Sequence, residues 1–145
     1  FGLENSHVFG ATVNKVLSED SDIVSIWGDG SEERDLLYIS DLVDSVEKII
    51  STNDKSPFCL LNIGSGIAIS VKELVDKILE ISGVDDKKVA FEQSKPTVKT
   101  SVSLDCSKAK LVLGWQPKVS LEAGIKKTIL WYKRNKTKDT KRTDL

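Results

Sequence analysis

Residues 27–41 read WGDGSEERDLLYISD, and this stretch decides how the rest of the chain is read. Trp27 closes a short β-prone run, residues 23–27. Gly28 and Gly30 suit a turn that needs positive φ. An acidic pair, Glu32 and Glu33, precedes Arg34, the only arginine before the C-terminal tail. Residues 35–39 read as a second strand. A helix then opens at Ser40 or Asp41, with Leu42, Val43, Val46, Ile49 and Ile50 on one face. A guanidinium just past a glycine turn can grip a diphosphate through two parallel N–H bonds. The same arginine can also lie at the surface, paired with Glu32, Glu33 or Asp35.

On the N-terminal side, Asn5-Ser6 precedes Val8, Thr12, Val13, Val16 and Leu17, a helical spacing with Ser6 as the cap. The polar run 18–22 ends that helix. On the C-terminal side, residues 51–57 form a loop. Residues 58–63 are almost continuously apolar, which predicts a strand covered on both faces. Gly64-Ser65-Gly66 ends it. Ser70 and Glu73 make a capping box, followed by a stripe of Val71, Leu74, Val75, Ile78 and Leu79 and by Gly83 as a C-cap. Residues 88–91 read as a short strand, and Pro96 lies in a loop. Asp105 or Ser107 caps a short helix that ends at Leu113-Gly114, and residues 115–117 turn. Ser120 caps a last helix carrying Leu121, Ile125, Ile129 and Tyr132. From Lys133 the chain is polar and largely basic, a solvated, frayed tail. The alternation of strands and helices is α/β or α+β, with several elements shaped to pack against something else.

The bulk properties narrow the classes. With 145 residues, 39% hydrophobic and 30% charged, this is one domain or part of one, able to bury a core without disulfides. A net charge of -1 gives no reason to expect nucleic acid or an anionic membrane as partner, and the basic tail lacks the interleaved aromatics of a nucleic-acid arm. No apolar run is long enough to span a bilayer and no signal-peptide pattern is read, so the expected compartment is the cytoplasm. Cys59 and Cys106 match no metal or redox spacing and are expected to be buried, reduced thiols. The chain begins with Phe1 and has no Met, which points to a fragment or to missing residues.

Several residues carry two readings. Gly28-x-Gly30 and Gly64-x-Gly66 each suggest a phosphate loop, but position 33 is Glu and position 69 is Ile, so neither completes G-x-G-x-x-G. Both read better as structural turns. Tyr132 and Lys136 satisfy Y-x-x-x-K, which could serve proton transfer, yet they sit at the end of a helix in a lysine-rich segment. His7, the only histidine, stands at a helix start where it could meet a ligand or face solvent. Trp27, Trp115 and Trp131 could stack on a base or a sugar, with packing as the default.

Together these stretches resemble the C-terminal half of an extended short-chain dehydrogenase/reductase, the family of NAD(P)-dependent nucleotide-sugar epimerases, dehydratases and reductases. Ser6-His7-Val8 with Ala11 and Lys15 is similar to the S-H-V-x-x-A-x-x-x-(K/R) helix of its GDP-fucose synthase branch. Trp27-Gly28-Asp29-Gly30 with Arg34-Asp35-Leu36-Leu37-Tyr38-Ile39-Ser40-Asp41 resembles the block W-G-x-G…R-(D/E)-F-x-(Y/H)-V-x-D. Asn62-Ile63-Gly64-Ser65-Gly66 with Ser70 resembles N-I-G-x-G…S. Lys95-Pro96, then Asp105, Ser107-Lys108-Ala109, Leu113-Gly114-Trp115 and Pro117, resemble the last loop and helix. Ser120-Leu121-Glu122, Gly124-Ile125 and Thr128 with Trp131-Tyr132 complete the pattern.

The resemblance implies an α/β fold: the C-terminal substrate-binding portion of an extended Rossmann-type enzyme, with helices, short strand pairs and, at residues 58–63, one strand of the cofactor-domain sheet. It implies that residues 1–132 form the substrate-binding portion and 133–145 a basic flexible tail. Arg34 matches the arginine that holds the diphosphate of a nucleotide-diphosphate sugar. Trp27, His7, Val8, Thr12 and Lys15 match positions lining that pocket. The family's cofactor loop and catalytic Tyr-x-x-x-Lys would lie in an N-terminal cofactor domain missing here. NAD or NADP is thus implied for the parent enzyme, and no cofactor for this chain alone. A homodimeric parent is compatible with the resemblance. The chain departs from the pattern at Gly10, where this branch has proline, and at Ser101 and Val102, where the family has a basic residue that also meets the diphosphate. Lys95 or Lys99 could substitute. The expected function is to bind and position a nucleotide-diphosphate sugar; the alternative is a non-catalytic binding or scaffold module that retains the fold.

Overall fold

A computed structural model describes residues 7–52, 58–95 and 101–139. The expected Ser6 cap, the loop at Pro57, Pro96, Lys99, the Lys136 side chain and the chain beyond residue 139 lie outside the described residues. The elements run α1 (Val8–Leu17), β1 (Ile23–Trp27), β2 (Glu33–Asp35), α2 (Ile39–Ser51), β3 (Ala68–Ser70), α3 (Val71–Ser82), β4 (Lys88–Glu92), α4 (Ser107–Leu113) and α5 (Leu121–Asp139). β1 pairs in parallel with β4, from Ile23 opposite Lys88 to Trp27 opposite Glu92. β2 pairs antiparallel with β3, with Arg34 opposite Ile69.

The core follows from the periodicities. β1 alternates, so Val24 and Ile26 point inward while Ile23 and Trp27 stay exposed. α3 packs against both α1 and α5. Val13 and Val16 of α1, Leu74, Val75 and Ile78 of α3, and Ile125, Ile129 and Tyr132 of α5 meet Val24 and Ile26 in one cluster. Each such side chain contributes about 1.5–3 kcal/mol on full burial. The α3 capping box forms as expected, and Gly83 closes that helix in the left-handed region. An ion pair at 2.6 Å, Lys77 to Glu122, joins α3 to α5.

Four expectations need correction, and one apolar face read from the sequence stands uncovered. Residues 58–63 form no strand: none of the described residues pairs with them, and Phe58 and Leu60 are exposed. A strand exists only where a neighbouring backbone takes its N–H and C=O groups, and the sequence pattern alone supplies none. Cys59 lies on this uncovered run and is therefore exposed rather than buried, while Cys106 is partly buried. The second strand is Glu33–Asp35, not 35–39, because β3 offers a partner for three residues only. The apolar stripe of α2 is exposed along its length, Leu42, Val43, Val46, Ile49 and Ile50 alike; the residues this helix buries are Asp41 and Ser45. Finally, α5 continues through residues 133–139, read from sequence as frayed tail. Lys and Arg are good helix formers, so the helix outlasts its apolar stripe.

Candidate functional site

The Gly-Asp-Gly turn is built by close approach. Gly28 and Gly30 have φ of 80° and 77°. A Cβ on Gly30 would lie 2.6 Å from Phe91 Cε1. The Asp29 carboxylate accepts the Ser31 N–H at 2.9 Å, tightening the turn. Its far side is tied to α3: Val71 N donates to Glu32 O at 2.8 Å and Lys72 N to Gly30 O at 3.0 Å. The turn therefore fixes β2, and with it Arg34, against the start of a core helix. Arg34 Nη1 donates to the Glu33 carbonyl at 2.7 Å. Trp27, half-exposed at the end of β1, lies on the other side of the same turn, and Lys95 Nζ stands 5.7 Å from the centre of its ring.

The two acids that flank Arg34 on β2 have partners of their own. The Asp35 carboxylate accepts four hydrogen bonds: Oδ1 from Ser65 N at 2.7 Å and Ser65 Oγ at 2.6 Å, Oδ2 from Gly66 N and Leu104 N at 3.0 Å each. Burial pushes its pKa up, but the Ser65 hydroxyl and the Leu104, Ser65 and Gly66 amides prevail and hold it below the usual carboxylate range. Glu33 accepts a hydrogen bond from Ser101 Oγ. Glu33 and Asp35 share one face of β2 and both hold residues 101–104, while Arg34 points to the other face.

This settles the chemistry of Gly64-x-Gly66. Its amides are occupied by an internal anion, Asp35, and a Cβ on Gly64 would come within 2.9 Å of Asp35 Oδ2 and Leu104 Cδ1. The first amides of α3 are likewise taken, by Glu32 O, Gly30 O and Ser70 Oγ. The Gly64-x-Gly66 turn is thus closed on a side chain of the same molecule. Asp35 was legible only as a neighbour that might pair with Arg34; what the sequence did not carry is that a G-x-G turn folds around it.

The candidates on α1 are placed differently. His7 is exposed at the N-cap position and makes no side-chain cap. Val8 is half-buried. Thr12 is buried and its Oγ1 donates to Val8 O at 2.7 Å. Lys15 Nζ donates to Ser25 O on β1 at 2.6 Å. Trp27 and Arg34 are thus joined through one turn, and Lys15 meets the strand that Trp27 ends, but the polar atoms of Thr12 and Lys15 are bonded to backbone. Two apolar cavities, about 220 and 350 Å³, lie between the residues after β2 and the approach to α5; both are lined by Leu36 and Leu121, and neither by any of the six candidate residues. Tyr132 donates to Asn14 Oδ1 at 2.7 Å, and burial, then the charge of Asp20, raises its pKa, the wrong direction for a proton-transferring phenol. Among the described residues no cluster could hold a metal ion, and no helix is long and apolar enough to cross a membrane.

Comparison with known proteins agrees with this architecture. UDP-glucuronic acid 4-epimerase from Bacillus cereus, solved with UDP-glucuronic acid and NAD, is 27% identical with a TM-score of 0.78, over 89% of this chain and 40% of that one. GDP-mannoheptose C4 reductase from Campylobacter jejuni, solved with NADP, is 28% identical with a TM-score of 0.73, over 92% of this chain and 46% of that one. The chain, helices over short parallel and antiparallel strand pairs, therefore has part of an extended, Rossmann-type short-chain dehydrogenase/reductase fold. A family model described as GDP-mannose 4,6 dehydratase matches residues 7–128, and the chain belongs to that family. GDP-L-fucose synthase 1 of Arabidopsis thaliana is 33% identical over 138 residues, covering 93% of this chain and 42% of the relative. The chain spans about two-fifths of the length of the curated relatives it matches.

Proposed function

We propose that this chain binds and positions a nucleotide-diphosphate sugar for NAD(P)-dependent epimerisation, dehydration or reduction in a longer enzyme. The observation that carries the reading is the placement of Arg34. One glycine turn joins it to Trp27, over whose ring Lys95 stands, and both residues that flank it on β2 hold other groups with their carboxylates. A guanidinium in that setting suits the diphosphate, and the Trp27 ring suits a base or ribose. His7, Val8, Thr12 and Lys15 complete the proposed pocket, Lys15 by tying α1 to β1 through the Ser25 carbonyl. The contribution to catalysis is affinity and orientation. The nicotinamide cofactor supplies hydride transfer when bound, and its site belongs to the N-terminal cofactor domain; residues 1–132 are the substrate portion. Calorimetric titration of the full-length protein with GDP- and UDP-sugars tests this. Arg34→Ala should weaken binding by about tenfold or more. Unchanged affinity would remove Arg34 from the site.

A second reading, a binding or scaffold module without catalysis, is favoured by one observation. Ser101, in the segment where the resembled family carries a basic residue, is bonded to an acid, Glu33. Turnover by the full-length protein with a nucleotide sugar would exclude it.

A further inference from the structure

We infer that Asp35 is a positioning residue for the anion site of Arg34, acting as a built-in anion that locks β2 to two loops. This rests on the reading of Arg34 as the diphosphate ligand. β2 has three residues and three register pairs with β3, Glu33 with Ser70, Arg34 with Ile69 and Asp35 with Ala68. A ladder that short is weak on its own. The Asp35 carboxylate adds four hydrogen bonds on the face opposite Arg34, from residues 65 and 66 on one loop and 104 on another. All three segments must be in place for both oxygens to be satisfied. Gly64 lacks the Cβ that would strike Asp35 Oδ2, so the loop can close fully on the carboxylate. Because successive strand residues point to opposite faces, whatever fixes Asp35 fixes the direction in which Arg34 leaves the strand.

The arrangement has a second consequence. A carboxylate adjacent in sequence to an anion-binding arginine would ordinarily compete with the ligand. Here its lone pairs are spent on amides and a hydroxyl. Asp35 thus fixes β2 at Arg34 without spending its carboxylate oxygens on that guanidinium.

The experiment measures affinity of the full-length protein for GDP and UDP, with GMP and UMP as controls, for the wild type, Arg34→Ala, Asp35→Asn and the double variant. Asn matches Asp in shape but must turn an NH2 toward N–H donors, so it opens the junction. Asp35→Asn should weaken nucleoside diphosphate binding about tenfold, with monophosphate affinity within about twofold. In the Arg34→Ala background it should cost nothing further, since the effect acts through the guanidinium. A general loss of structure would instead add to the Arg34→Ala loss, and that result would overturn the inference. So would a folded Asp35→Asn protein that binds diphosphates like the wild type while Arg34→Ala does not. If Arg34→Ala itself is harmless, the functional reading fails and the inference with it. Should Asp35→Asn not fold, Ser65→Ala removes one donor only; a loss of about threefold in diphosphate affinity supports the inference, and no change overturns it.

Discussion

The indole N–H of Trp115 donates to the backbone carbonyl of Asp41 at 3.0 Å, inside a site where Trp115 has no solvent exposure. The Asp41 carboxylate reaches further along the same segment, accepting Lys118 N at 3.1 Å and Val119 N at 2.9 Å. One residue at the start of α2 thus anchors the turn between α4 and α5. Trp115→Phe keeps most of the packing and removes this one bond, leaving the Asp41 carbonyl to its partner within α2, at a cost of about 0.5–1.5 kcal/mol. Trp115→Ala should cost about 3–5 kcal/mol. Urea unfolding of both variants checks the order, and a Phe variant as unstable as the Ala variant would deny the bond its importance.

Two glycines with nearly equal φ separate backbone strain from steric conflict. Gly30 and Gly83 have φ of 77° and 71°. A Cβ on Gly83 meets nothing within 4 Å, whereas one on Gly30 lies 2.6 Å from Phe91 Cε1 and 3.2 Å from Lys72 Cβ. Gly83→Ala should cost about 1 kcal/mol, and Gly30→Ala about 2–4 kcal/mol, because overpacking adds to the left-handed penalty. Equal destabilisation in thermal melts would mean that the Gly30 contact relaxes freely.

The same glycines mark how far the sequence could be read. The capping box, the Gly83 C-cap and the inward faces of α1, α3 and α5 were legible, because each depends on local periodicity or turn chemistry. What was not legible depends on a distant partner. An apolar run such as 58–63 says that it wants covering, not what covers it. The stripe on α2 is the same case, correct as a helix and uncovered in this structure. Asp35 and Asp41 look alike on paper, as acids within one block, and both prove to hold amides 30 to 78 residues away. Of the candidate residues, Arg34 and Trp27 stand on either side of the glycine turn that the sequence indicates; the backbone bonds of Thr12 and Lys15 were not visible in spacing.

The uncovered α2 stripe makes the 145-residue chain prone to self-association. Ile50 is 79% exposed and Val46 46%. Ile50→Lys removes apolar surface and disturbs no contact in the core cluster, so stability should change by less than about 0.5 kcal/mol. Sedimentation velocity should show less self-association for Ile50→Lys than for the wild type. Equal association at matched concentration would place the sticky surface elsewhere.

The Asp35 junction also predicts a pH dependence whose sign is fixed. Burial acts to raise the carboxyl pKa, but the Ser65 hydroxyl and the three amides outweigh it, so the folded value lies below the unfolded one. A group of this kind stabilises the fold above its unfolded pKa, about 3.9 for Asp, and loses that contribution as pH falls through the folded pKa. The comparison is between the melting temperatures of the wild type and Asp35→Asn across pH 7 to 2. Glu73, Asp105 and Glu122 are also held below their ordinary values, by Ser70, Ser107 and Lys77 respectively. They titrate in both proteins and cancel in the difference. The gap should be roughly 5 °C and steady near neutrality, then narrow below about pH 4 as the wild-type carboxylate is protonated and both side chains become neutral. A gap that stays constant down to pH 2 would mean that shape, rather than the negative charge, holds residues 65, 66 and 104 around this strand.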